Sequence, residues 1–171
     1  MKNPAYDTAL KLLARRDHFR AELGEKLRSR GFDDDEIEAA LDRIDGLGLL
    51  DDEALAGRFV DFRSVDRGWG PSRLAAELRR RGVDRDLAER AARLDDESHD
   101  RALVTAVRRV VVRAKPGWWR VPARRSRLIS SLIGRGFDPD VASSAIARLA
   151  AERETTEHET PDQPGDPGRL P

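Results

Sequence analysis

A sequence pattern that occurs three times constrains the fold of this chain more than any other feature. Two leucines four residues apart are followed by Arg-Gly, a hydrophobic residue and Asp, in the stretches 23–33, 74–84 and 128–138. Leucines at this spacing lie on one face of a helix, and the glycine suits a helix end that turns into the left-handed conformation. The Asp that closes each copy can cap the following helix. The pattern therefore predicts tandem helical repeats.

Apolar residues with a helical period also precede and follow each copy of the pattern, and no long stretch alternates with period two. The chain is therefore predicted to be all-α, with three tandem three-helix repeats at 1–50, 51–95 and 96–152. A repeat of this size buries little core, and 37% of the residues are charged, so an elongated body is expected. Prolines, glycines and acids dominate the final segment, and 153–171 is predicted to be a disordered, acidic, Pro-rich tail.

The zero net charge of the chain conceals a strong polarity. Residues 33–53 contain ten acids and one base, whereas residues 101–137 contain ten basic residues and no acid. Most charge runs are solvated helix faces, but an acid-free stretch of this length in an acid-rich chain favours a charged partner surface.

Several functional classes find no support in the sequence. The chain has no cysteine, and its three histidines are scattered without the spacing of a zinc site. Phosphate-binding loops and nucleophile elbows are absent from the sequence. We therefore expect no catalytic residue, no metal and no cofactor. No apolar run approaches the length of a membrane span and no signal peptide is evident, which predicts a cytoplasmic protein without a membrane partner.

Two stretches carry a resemblance to a known family. One combines Leu-Leu-Asp-Asp-Glu at 49–53 with Arg-Gly-Trp-Gly-Pro-Ser-Arg-Leu at 67–74, and the other runs from Ala9 to Phe32. Over residues 5–150 the chain resembles the RecX family of bacterial recombination regulators. The third repeat departs from the second by a longer connection at 115–122 and by lacking an acid equivalent to Glu77.

The resemblance implies both a shape and a function. The implied shape is an elongated, curved body. The implied function is negative regulation of RecA: binding the RecA filament on single-stranded DNA, lying in its helical groove, and inhibiting strand exchange, ATP turnover and coprotease activity. A monomer is the simplest expectation for a linear array. Two alternatives stay open, an autonomous DNA-binding protein that competes for nucleic acid and a helical scaffold for an unrelated acidic protein.

Two groups of residues are predicted to contact such a filament. The first is the loop that contains Arg63, Arg67, Gly68, Trp69, Gly70 and Arg73, where glycines would let the backbone approach a partner and arginines would supply forked donors. The alternative for this loop is that Trp69 packs a junction between repeats and the glycines shape a turn.

The second predicted group lies in the acid-free stretch. Trp118 and Trp119 sit between basic residues, a pattern typical of stacking platforms for single-stranded bases, and one of the two is expected to face the core. The electrostatic footprint on phosphates is predicted to be Arg108, Arg109, Arg113, Lys115, Arg120, Arg124 and Arg125.

Overall fold

The computed structural model describes residues 3–158, which form nine α-helices, one short 3-10 turn at Trp118–Arg120 and no strand. The helices are α1 (Pro4–Leu13), α2 (Arg20–Arg28), α3 (Asp34–Asp45), α4 (Asp52–Arg67), α5 (Pro71–Arg80), α6 (Arg85–Ala91), α7 (Asp96–Val111), α8 (Pro122–Ile133) and α9 (Pro139–His158). The predicted all-α fold with three helices per repeat is confirmed. We call α1–α3, α4–α6 and α7–α9 the first, second and third triplets.

The repeated pattern sets the same helix end in every triplet. Gly31, Gly82 and Gly136 adopt φ values of +87°, +81° and +92°, a left-handed conformation that favours glycine. Each glycine thus turns the chain between the second and third helix of its triplet. The Asp that follows then caps the third helix; in the first triplet, Asp33 accepts from the amide of Glu36 while the Glu36 side chain accepts from the amide of Asp33.

Each triplet encloses its own hydrophobic cluster, and the patterned leucines lie at its centre. Leu27, Leu78 and Leu132 are fully buried, one in each cluster. Phe19 crosses this division, because it precedes α2 in the first triplet but packs into the cluster of the second. Neighbouring triplets therefore share core, as expected for repeats too small to bury enough apolar surface alone.

Contacts between consecutive triplets give the molecule its elongated form. The connection between α1 and α2 joins the first triplet to the second, and α4 packs along α7 to join the second to the third. We call these contacts the first joint and the second joint.

The last helix is longer than the sequence predicted. Residues 153–158, expected in the disordered tail, form the final turns of α9. Good helix formers at 150–154 continue the helix, and Glu157 pairs with Arg120. The rest of the predicted tail, 159–171, lies outside the described residues.

Candidate nucleic-acid interface

A groove with nine cationic side chains runs along the second joint. Its volume is about 980 Å³, and the ends of α4 and α7, the start of α5 and one face of α8 form its walls. None of the carboxylates in residues 3–158 lines it. We call it the cationic groove; its basic residues are Arg63, Arg67, Arg73, Arg109, Arg113, Lys115, Arg124, Arg127 and Arg135.

Almost all of these cations lack an acidic partner. Among residues 3–158, Arg67 is the one member of the set with a carboxylate within 4 Å, that of Asp66 at 2.8 Å. A larger groove of about 1260 Å³ at the first joint is lined instead by seven arginines and six acidic residues. Among the described residues, the cationic groove therefore has positive charge without compensating acids. The larger groove at the first joint has arginines and acids in nearly equal number.

Backbone carbonyls hold four of the guanidinium groups in place. Arg135 donates to the carbonyl of Arg67 at 2.9 Å, and Arg73 donates to that of Gly134 at 3.0 Å. Arg109 and Arg124 donate in the same way to the carbonyls of Asp66 and Pro116. A guanidinium has five N–H donors, so each of these bonds fixes the group and leaves further donors for a ligand.

The electrostatics at Arg135 show how crowded these cations are. Burial lowers the pKa of Arg135 from its ordinary value, and the charges of Arg109, Arg73 and Arg113 lower it further. Each of these like charges disfavours the protonated form of Arg135. An anion bound in the groove would relieve the repulsion, so the site is suited to phosphate or carboxylate ligands.

Trp69 supports two of the groove arginines. Its half-buried ring packs against Phe59, with ring centroids 6.4 Å apart. The guanidinium carbons of Arg73 and Arg63 lie 4.6 Å and 5.4 Å from the centre of the indole. The ring thus presents both cations toward the groove, by packing and by cation–π attraction.

The two glycines beside Trp69 are buried in the second joint. A Cβ on Gly68 would lie 2.6 Å from the amide nitrogen of Ala106, and one on Gly70 would lie 2.5 Å from the carbonyl oxygen of Gly136. The close approach they permit is therefore to α7 and to the connection between α8 and α9. The space beside them, predicted to receive a partner, is occupied by the chain itself.

The tryptophan pair divides as expected. Trp118 is 3% exposed and belongs to the core of the third triplet, with part of its surface at the cationic groove. Trp119 is half-buried and stands edge-on to it, with ring centroids 6.0 Å apart. Trp119 faces away from the cationic groove, into a separate groove between α7 and α9.

Three other predicted residues lie outside the cationic groove. Arg108 is exposed and lines the groove between α7 and α9. Arg120 is paired with Glu157, and Arg125 donates to the carbonyl of Trp119 at 3.0 Å.

Two groove residues were absent from the predicted set. Arg127 lies three residues after Arg124, so the helical period of α8 places both on one face, a signal that was available in the sequence. Arg135 belongs to the repeated pattern, whose spacing within one repeat predicts a helix end and gives no sign of a groove shared by two triplets.

Metal sites and membrane spans are both lacking from the described part of the chain. Residues 3–158 contain no group of three or more His, Asp or Glu side chains placed to hold a metal ion. None of the described helices is long and apolar enough to cross a membrane.

Comparisons with known proteins point to one family. A model of the first three-helix domain of RecX matches residues 5–43, and a model of its second three-helix domain matches residues 51–91. The chain is 36% identical over 151 residues to the Regulatory protein RecX of Pseudomonas putida (strain W619), covering 88% of this chain and 92% of the relative. With the Regulatory protein RecX of Thermobifida fusca it shares 36% identity over 159 residues, 90% of this chain and 83% of that protein.

A solved structure extends the similarity to three dimensions. The crystal structure of RecX from Lactobacillus salivarius superposes with a TM-score of 0.72 at 25% sequence identity. The match covers 86% of this chain and 95% of that one, so it includes the third triplet as well as the first two.

Proposed function

Since the chain belongs to the RecX family of regulatory proteins, we propose that it is a negative regulator of a RecA recombinase. It acts by binding the filament that RecA forms on single-stranded DNA. Lying in the helical groove of that filament, it inhibits strand exchange, ATP turnover and coprotease activity. The cationic groove is the observation that supports this proposal, because a filament on DNA presents both phosphates and acidic protein surface.

The groove is suited to a phosphate backbone by its chemistry and its rigidity. Eight of its nine basic residues are arginines, whose planar forks match phosphate oxygens. The carbonyl bonds to Arg73, Arg109, Arg124 and Arg135 order these side chains before any ligand arrives, which lowers the entropic cost of binding.

The elongated body supplies the second part of the mechanism. Three triplets in a row reach further along a filament than one compact domain of the same mass. Contacts spread along the body would span neighbouring recombinase subunits and fix their spacing. The same body would occupy the path of an incoming duplex.

The groove is tested by the salt dependence of binding to RecA-coated single-stranded DNA. If about six of its cations contact phosphates, affinity should fall roughly 10³-fold between 50 and 200 mM salt. Arg113→Gln and Arg127→Gln should each weaken binding and reduce the salt slope by about one. Arg108→Gln is the matched control, because Arg108 is an exposed arginine on α7 that lies outside the groove.

Two results would contradict a phosphate-binding groove. The first is a salt response below tenfold. The second is an equal loss of affinity in Arg108→Gln and Arg113→Gln, which would mean that overall charge matters and the groove does not.

A further inference from the structure

Phe62 is the one exposed Phe, Tyr or Trp side chain of this protein. All of these aromatic residues lie within residues 3–158, and Phe62, on α4, is 59% exposed while the others are buried or half-buried. Val65, one turn further along α4, is 53% exposed. Single exposed apolar residues are common on protein surfaces, so the position of this ring decides what it can do.

Phe62 borders the cationic groove through Arg63. The guanidinium carbon of Arg63 lies 5.5 Å from the centre of the Phe62 ring, and Arg63 lines the cationic groove. Among the described residues, Arg63 is also the one that this groove shares with the larger groove at the first joint. Because 59% of Phe62 is exposed, Arg63 covers only part of the ring.

The tryptophans near the groove do not offer a comparable surface. Trp69 lines the groove, but the guanidinium carbon of Arg73 lies 4.6 Å from the centre of its half-buried ring. Trp118 is 3% exposed, and Trp119 faces the groove between α7 and α9. Phe62 is therefore the ring best placed beside the cationic groove to stack on a flat ligand.

The charges on either side of Phe62 separate the phosphates of a strand from its bases. Among residues 3–158, the Nε of Arg63 has no hydrogen-bond partner and no carboxylate lies within 4 Å of its guanidinium, so this group can bind a phosphate. Asp61, which precedes Phe62, is exposed and would repel a phosphate but not an uncharged base. A strand with its phosphates on the Arg63 side can therefore direct a base toward Phe62.

We propose that Phe62 is a stacking platform for an unpaired base of single-stranded DNA whose phosphates bind in the cationic groove. The exposed ring contacts the face of the base, and this contact accepts any of the four bases because each has a π-face. The inference rests on the phosphate-binding role that the proposed function gives to the cationic groove.

Strands with and without bases test the proposal. The affinity of the full-length chain is measured by fluorescence anisotropy for an oligothymidylate and for an abasic strand of equal length, at one ionic strength. Phe62→Ala should weaken binding to the oligothymidylate about fivefold or more and leave binding to the abasic strand unchanged. Alanine suits an exposed helix position, so α4 should persist in this variant, as circular dichroism can verify.

Two further variants separate stacking from apolar contact. Phe62→Trp should retain the affinity of the original chain for the oligothymidylate, because the indole also stacks on bases. Val65→Ala is the matched control, since it removes exposed apolar surface from the same side of α4 without removing a ring. It should bind both strands as the original chain does.

Several results would overturn the stacking platform. They are an unchanged affinity of Phe62→Ala for the oligothymidylate, equal losses on the two strands, an equal loss in Val65→Ala, and no binding of the original chain to the bare oligothymidylate. A loss confined to the RecA-coated strand would also overturn it and would assign Phe62 to a contact with protein.

Failure of the proposed function gives a different result. In that case Arg113→Gln would leave the affinity for the abasic strand, the oligothymidylate and the RecA-coated strand unchanged. If stacking alone fails, Arg113→Gln still weakens binding to all three.

Discussion

The two joints of the molecule are built from different parts of the chain. The first joint depends on side chains: Phe19 inserts into the second cluster, and Asp17 pairs with the exposed Arg58 at 2.7 Å. The second joint depends on backbone: the amide of Gly70 donates to the carbonyl of Arg135 at 2.8 Å, and that of Ser72 donates to Gly136. Three arginine side chains, those of Arg73, Arg109 and Arg135, add bonds to carbonyls across it.

The difference explains where the cationic groove lies. Backbone contacts leave little freedom for the second and third triplets to rotate against each other, so cations from four helices keep a fixed arrangement. At the first joint the charged side chains pair with one another, as Arg81 of the second triplet does with Glu22 of the first at 4.0 Å. A joint made of backbone leaves most of its arginines without a carboxylate partner, whereas a joint made of side chains pairs its arginines with acids.

The largest effect is expected where the second joint admits no side chain. Gly136 has φ +92°, and a Cβ there would lie 2.3 Å from the amide nitrogen of Arg73. Gly136→Ala should lower the free energy of unfolding by about 3 kcal/mol or more, because backbone strain adds to a clash that backbone atoms cannot avoid. Urea denaturation measures the loss.

The equivalent position in the first triplet is the control for this substitution. Gly31 has φ +87°, and a Cβ there would meet nothing within 4 Å, so Gly31→Ala should cost only about 1–2 kcal/mol of conformational strain. Equal losses at Gly31 and Gly136 would show that the second joint is not closely packed.

A smaller and reversible effect is expected at the first joint. A Cβ on Gly82 would lie 2.4 Å from the Cβ of Ala21, a side-chain atom that can be removed. Gly82→Ala should therefore cost more than Gly31→Ala, by about 1–2 kcal/mol. Adding Ala21→Gly should remove this clash, although glycine itself costs roughly 0.5–1 kcal/mol within a helix, so the double variant should be more stable than the sum of the two single losses predicts. A double-mutant cycle with no coupling energy would contradict this contact.

The smallest effect is a dependence on pH at the first joint. Burial lowers the pKa of His18, and Arg16 and Lys26 lower it further, against the opposing effect of Glu22. In mildly acidic solution the unfolded chain therefore binds a proton at His18 that the folded chain does not. The free energy of unfolding should fall as the pH drops below about 6.5.

Replacing the histidine isolates this contribution. In His18→Gln, the decline in stability between pH 7.5 and 5.5 should be shallower than in the original chain. Parallel stability curves for the two proteins would exclude His18 as the source.

Local features of the fold could be predicted from the sequence, because each depends on a few neighbouring residues. The turn at Gly31, the cap at Asp33 and the burial of Leu78 all follow from spacing within one repeat. The end of α9 was predicted too early, since it is extended by helix formers and by the pair between Glu157 and Arg120.

The site could be predicted only in part, because it is assembled across two triplets. Spacing along the chain indicated basic residues in both, but the docking of α4 on α7 decides which of them share a groove. That docking joins Arg67 with Arg135 and directs Arg108 elsewhere. The same contact explains Gly68 and Gly70, whose role depends on backbone distant in sequence.

Filament regulation is tested most directly by comparing affinity for bare single-stranded DNA with affinity for the RecA-coated strand, at physiological salt. We predict a preference for the coated strand of tenfold or more, about 1.4 kcal/mol, together with slowed ATP hydrolysis. Both should decline in Arg113→Gln and persist in Arg108→Gln. Equal or tighter binding to the bare strand would contradict filament recognition and favour competition for DNA, and binding to neither would favour a scaffold for another acidic protein.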